Sequence, residues 1–438
     1  MRQFKFKTLQ IIGLGLMLSF SACSEDDDQD SPASMNPSQN PQSFLASNVD
    51  ALGNVSLPNN FTIPGTYDLN GDFAPGAYSG QSRRLAQLQE IVDSSRNEPI
   101  RWDIREALAN TNRNQFASSS AQGNSDLRSK IDELNFDNGN TAVADRFAEI
   151  ADSLVLSSQA NFTVNASEGV AGMITTGTTK RHVSANGLEY IQLLEKGLYG
   201  AIFYDQMVDD YLRPSQAGAQ NPLGNNQAAA GSSYSTLGTD RQHRFDEVFG
   251  YFGADPLNYP DPSNTSNGGG KFIANYTFDF SDETETTFGV HIAQKLMDAF
   301  IFGRAVLKAG EGFGPNDEQV NEAYYDAAVA DIKLYTELGI AAAAYHYLND
   351  AIADITDEDK LHHLSEALAF IYALSFNSEG RLSANQAHQV LIELGWSAND
   401  PTLGGVYEIN LWQVSDAQME RAIDLLDQAY PAFSTASF

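Results

Sequence analysis

Residues 186–212 read NGLEYIQLLEKGLYGAIFYDQMVDDYL, and their spacing predicts a long helix. Leu188, Leu194, Leu198, Ala201, Ile202 and Val208 fall on one wide apolar arc at the helical period. Gln192, Glu195, Lys196, Gln206 and Asp210 gather on the other side, with Tyr199 among them. Gly197 and Gly200 cost a helix about 1 kcal/mol each relative to Ala, and a glycine there lets a neighbouring backbone come close. Two readings fit: an amphipathic bundle helix with a solvated polar face, or a central helix whose polar stripe lines a cavity.

The same period recurs along the chain. Leu85, Leu88, Ile91 and Val92 mark a helix at 83–95. Helical spacing continues at 101–111, 125–135, 142–158, 240–252, 287–309, 317–337, 340–354, 357–376, 383–394 and 415–429. Ser383 with Gln386, and Ser415 with Gln418, read as capping boxes. Strand signals are poor: only 55–69 looks extended, and Pro58 and Pro64 interrupt it. The Gly/Ser/Asn-rich stretches 215–239 and 261–270 read as loops. No clean internal repeat is visible. The expected class is all-α: a multi-helix bundle over residues 61–438, single or divided into two packed bundles near 215–239.

The N-terminus bears on location. Arg2, Lys5 and Lys7 precede a mostly apolar run at residues 9–20, the pattern of a signal peptide and too short for a membrane span. FSAC follows, with small residues before Cys23, the one cysteine in 438 residues. This resembles a bacterial lipobox, which implies cleavage after residue 22 and lipidation of Cys23. SEDDDQD then sets five acids within seven residues, a solvated run that resembles the export tag of Bacteroidetes surface lipoproteins. Residues 23–60, rich in Ser, Pro, Asn and Gln, read as a tether. The expected place is the outer membrane, lipid-anchored and facing outward.

Without the leader's three basic residues, 23 Lys+Arg stand against 57 Asp+Glu, a formal charge of −34. So acidic a chain argues against nucleic acid, whose phosphates need basic patches, and against broad docking on anionic lipid. It suits a soluble body that handles cations or cationic ligands. A lone cysteine at the lipidation position leaves no Cys nucleophile and no Cys-based zinc site. G-x-S-x-G, HExxH, P-loop and dinucleotide motifs are absent from the sequence.

What remains is carboxylate–imidazole chemistry. In RQHRFDEVFGYFG (241–253), Phe245, Val248, Phe249 and Phe252 form one stripe; His243 and Glu247 lie opposite, with Gly250. In TDEDKLHHLSEALAFIYAL (356–374), Leu361, Leu364 and Leu368 form the stripe. His362 lies four residues before Glu366, and His363 three before it. Carboxylate-bridged iron sites in bundles also draw His and Glu from several helices, although they use the reverse order Glu-x-x-His. Gly250 leads us to expect His243 and Glu247 in a helix–helix interface. The expected partner is the polar stripe of 186–212, with Glu189 or Glu195 nearest, and then 362–366. Converging groups could hold a divalent cation such as iron, manganese or zinc. The bland alternatives are solvated polar pairs, or hydrogen bonds worth about 0.5–1.5 kcal/mol.

YSGQSRRLAQLQEIVD, NGLEYIQLLEKGLYGAIFYDQ and HRFDEVFGYFG together resemble the DUF4856 family of Bacteroidetes lipoproteins, over nearly all the mature chain. That family has no established activity to transfer. The resemblance implies neighbours of the imelysin type and outer-membrane receptors linked to iron uptake. Imelysins carry G-x-H-x-x-E; here Gly289 and His291 are followed by Gln294, an amide in place of the acid. Two functions are expected to compete. One is a non-enzymatic surface lipoprotein that captures or passes on a ligand, such as an iron source, beside a receptor. The other is a metal-dependent enzyme of hydrolase or peptidase type with a His/Glu site.

Overall fold

A computed structural model describes residues 45–52, 61, 63–67, 78–95, 99–112, 115–131, 142–212, 240–256, 270–309 and 322–435. Helix dominates them, as the all-α reading expects. In chain order the helices are α1 (Asn48–Ala51), α2 (Ser79–Ser94), α3 (Ile104–Ala109), α4 (Ala142–Asn161), α5 (Tyr190–Leu198), α6 (Asp240–Phe252) and α7 (Ile273–Asp279). They continue with α8 (Ser281–Phe288), α9 (Ile292–Ala309), α10 (Glu322–Ala353), α11 (Asp357–Leu374), α12 (Ala384–Glu393) and α13 (Asp416–Ala429). The leader, Cys23, the rest of 23–44 and the loops 215–239 and 261–269 lie outside the described residues.

The stretch 186–212 is the axis. Both its apolar and its polar faces are buried, Glu189, Gln192, Glu195 and Lys196 included, so it is the central helix and not the solvated one. α11 runs against it at very short range: a Cβ on Gly200 would stand 2.4 Å from Ala373 Cα. Gly197 faces Phe147 of α4 and Tyr372 of α11. Beyond Leu198 the winding widens into two π segments, Tyr199–Tyr204 and Gln206–Tyr211, in which the Asp205 N–H bonds Gly200 O five residues back. Such widened turns are frequent at functional sites.

α10 and α11 form an antiparallel hairpin with a short turn. Thr356 caps α11 by accepting the Asp359 N–H, and Asp357, Glu358 and Asp359 fill the first turn, where the helix dipole favours acids. Both expected capping boxes, Ser383/Gln386 and Ser415/Gln418, are formed. The helices expected at 317–337 and 340–354 are one helix. Gly339 does not break it but admits Thr277 of α7, whose Oγ1 would lie 2.4 Å from an added Cβ. The helix expected at 287–309 starts later, at Ile292, after Gly289 closes α8 in the left-handed region (φ 72°). Within 125–131 only a 3₁₀ turn, Arg128–Lys130, is formed.

Two features have no counterpart in the reading above. β1 (Gly172–Thr176) pairs antiparallel with β2 (Thr179–Val183) around a two-residue turn headed by Gly177, φ 57°. Glycine at that first position is what a type II′ hairpin favours. The strands, GMITT and TKRHV, lack clean apolar alternation, which hid them. Secondly, residues 45–52, expected within the tether, are docked on α10. Asp331 accepts from Ser47 Oγ (2.8 Å), Asn48 N (2.8 Å), Asn48 Nδ2 (2.9 Å) and Val49 N (2.8 Å). Tyr335 donates to Leu45 O at 2.9 Å. Of the stretch expected to be extended, residues 61 and 63–67 carry no strand. Among the described residues no helix is long and apolar enough to cross a membrane.

Candidate metal centre

The α5–α11 contact gathers charge inside the protein. Glu189 precedes α5, and its backbone N–H donates to Ser365 Oγ of α11 at 3.0 Å. Its carboxylate takes Arg181 Nη1 of β2 (3.2 Å) and Gln192 Nε2 (3.1 Å) on Oε1, and His362 Nδ1 (2.8 Å) on Oε2. One turn on, Lys196 Nζ reaches Glu195 Oε2 (2.8 Å), Glu366 Oε1 (3.0 Å) and Gln192 Oε1. It also sits 5.6 Å from the centre of the Tyr276 ring. Tyr199 donates to Glu195 Oε1 at 2.9 Å. A cavity of about 20 Å³, room for about one water, lies behind Glu189 between Thr179, Arg181, His182, Gln192 and Glu195.

On α11, each of the adjacent histidines turns Nδ1 to a carboxylate. His362 faces Glu189, and His363 faces Asp354 Oδ2 at 2.8 Å. A carboxylate at Nδ1 fixes that atom as the N–H and raises the basicity of Nε2, the arrangement found behind metal-ligating histidines. His362 Nε2 then lies 3.3 Å from Glu366 Oε2. His362, His363 and Glu366 bring one ligand atom each to within 4.8 Å of one another. Atoms sharing a transition metal bond it at about 2.0–2.2 Å and so stand at most about 4.4 Å apart, so small side-chain shifts close the set. Exposure falls from His363 (24%) to His362 (11%) and Glu366 (7%), which places the way in beside His363.

The electrostatics suit a cation. Four carboxylates (Glu189, Glu195, Glu366, Asp354) surround two fixed positive charges, Arg181 and Lys196. With neutral imidazoles two negative charges remain, the charge of one divalent ion. Burial pushes the Glu189 carboxyl up, but the hydrogen bond from His362 and the nearby positive charges of Arg181 and Lys196 outweigh it and hold it below the usual range. Burial also opposes the Lys196 ammonium; Glu195 and Glu366, helped by the tyrosines, outweigh it and hold the group well above the usual lysine range. Glu189 and Lys196 are therefore charged.

The other sequence candidates lie elsewhere. His243 is buried, but Gly250 opens that face of α6 to Tyr78 and Gln81 at the start of α2, not to Glu189 or Glu195. Glu247 takes Gln81 Nε2 (2.8 Å) and Arg244 Nη1 (2.5 Å), with His243 Nε2 at 3.7 Å. α6 does meet the 186–212 stretch, at its far end, where Tyr211 and Tyr251 rings lie 6.1 Å apart. Glu195 has both oxygens engaged by Lys196 and Tyr199. His291 Nδ1 accepts the Gln294 N–H (3.1 Å), capping α9, while Gln294 Nε2 donates to Asp298 (2.7 Å). Its neighbours Asp282 and Glu285 are exposed. Asp354, Arg181 and the role of Lys196 were not foreseen. Asp354 had a signal: it precedes the Thr356 cap by two residues, within reach of the second turn of α11.

The profile of a family described as a domain of unknown function (DUF4856) matches residues 66–396, which include the whole cluster. No curated protein and no solved structure matches the chain.

Proposed function

Since the chain belongs to the DUF4856 family, whose description assigns no activity, we propose from its own geometry that it is a metal-binding accessory lipoprotein of the outer cell surface. In this reading His362, His363 and Glu366 hold one divalent transition metal, iron, manganese or zinc, and the protein captures or passes on that ion beside a receptor or an imelysin-type partner. The observation that carries it is the pair of carboxylate-held Nδ1 atoms, which leaves both Nε2 atoms for a ligand. The sequence features at Cys23 and the acidic run after it support the anchoring.

The test is metal analysis of the full chain purified without chelator, followed by titration of the stripped protein. One ion per chain is expected. His362→Ala should abolish binding, and Asp354→Asn should weaken it by about 10–100-fold, as loss of an outer carboxylate does. A wild-type protein that binds none of the three metals sinks the reading and leaves a structural charge network. Three protein ligands also leave coordination positions open, as catalytic zinc sites do. That favours a second reading, a metal-dependent hydrolase, which requires a hydrolytic activity lost in His363→Ala.

A further inference from the structure

We infer that Lys196 sets which cations the His362–His363–Glu366 site accepts, by keeping one oxygen of Glu366 away from the metal. The inference rests on the metal-binding reading above. An ammonium has three N–H donors, and those of Lys196 are all used, on Gln192 Oε1, Glu195 Oε2 and Glu366 Oε1. The side chain is 3% exposed and lies on α5, one turn before the close approach of Gly200 to Ala373 of α11. Glu366 Oε1 is thus held on Lys196, and Oε2 alone faces His362 Nε2.

The donor set is then two imidazole nitrogens and one carboxylate oxygen. Larger, harder cations such as Ca²⁺ and Mn²⁺ gain from carboxylates that grip with both oxygens and from oxygen-rich shells. Imidazole nitrogen suits zinc and iron. Lys196 therefore acts as a positioning residue that biases the site toward zinc and ferrous iron and against manganese and calcium. Removing the ammonium while keeping the stem would free Oε1 for a second bond to the ion.

The experiment compares dissociation constants for Mn²⁺ and Zn²⁺ in the stripped full-length wild type, Lys196→Met and Lys196→Arg, with circular dichroism confirming that each variant is folded. In Lys196→Met the Mn²⁺-to-Zn²⁺ ratio should fall by about tenfold, the lower end of what changes around a metal's ligands produce. Lys196→Arg, which can still hold Oε1, should stay near the wild-type ratio. An unchanged ratio in a folded Lys196→Met overturns the inference while the metal site stands. Failure of the wild type to bind either ion overturns both. Should Lys196→Met not fold, the infrared difference spectrum of Zn²⁺ loading in the wild type decides. A one-oxygen carboxylate signature supports the inference, and a two-oxygen signature overturns it.

Discussion

Glu337 contrasts with Lys196. Its Oε1 accepts from Tyr430 OH (2.8 Å), Arg381 N (2.8 Å) and Leu382 N (3.2 Å). Burial pushes its carboxyl above the usual range, and these hydrogen bonds oppose that only in part. The folded state therefore holds this proton more tightly than the unfolded chain does. Its contribution to stability is present below the ordinary glutamate value of about 4.3 and is lost as pH rises through the folded value. Glu337→Gln keeps the oxygen acceptor and removes the charge. Urea unfolding between pH 5 and 8 should show the variant gaining on the wild type as pH rises; a gap that is constant or shrinks would contradict this. Single residues also mark where sequence reading stops. The spacing of His362, His363 and Glu366 is visible along one helix, and Glu189 stands out as a polar neighbour. Their meeting is not visible, because Glu189 and His362 are 173 positions apart and no local pattern says which faces pack. The same limit applies at Gly250: it admits Tyr78 and Gln81 at the start of α2, while α6 meets the 186–212 stretch at its far end, at Tyr211.

At the scale of the element, the 186–212 stretch explains both what was legible and what was not. Its apolar arc and its two glycines announced a helix packed closely against another, which is what α5 and α11 do. A helical wheel assumes uniform winding, however, and the π segments alter the register after Leu198. So Asp209, absent from the polar side of the wheel, is the residue that reaches Ser378, accepting from its N and Oγ at 2.8 Å each. The missing Cβ of Gly200 is a firmer constraint than helix propensity. Gly200→Ala should raise local helix propensity by about 1 kcal/mol. It should nonetheless destabilise the protein by about 1–3 kcal/mol, the usual penalty of overpacking, because the methyl meets Ala373 backbone. An alanine variant as stable as wild type in denaturant titration would mean that α11 can move away.

For the whole molecule, the formal charge of −31 and the sequence around Cys23 favour a soluble acidic body on a lipid anchor. Cys23→Ala should release the protein from the membrane fraction, and protease added to intact cells should digest the wild type. Retention of the variant, or protection of the wild type, would count against the anchor or the outward face. The docked segment 45–52 bears on how such a body is carried. Asp331→Ala removes the acceptor of four hydrogen bonds. It should open 45–52 to limited proteolysis while the helical body persists; unchanged resistance would assign the docking to Leu45 and its apolar neighbours instead. If Cys23 is the anchor proposed above, the 22 residues from Cys23 to residue 44 could span at most roughly 80 Å. Opening the docked segment would pay out eight more residues, up to roughly 28 Å of slack. Any pull between membrane and body would then fall first on one aspartate in the third turn of α10, so the reach of an anchored protein over the cell surface would depend on Asp331.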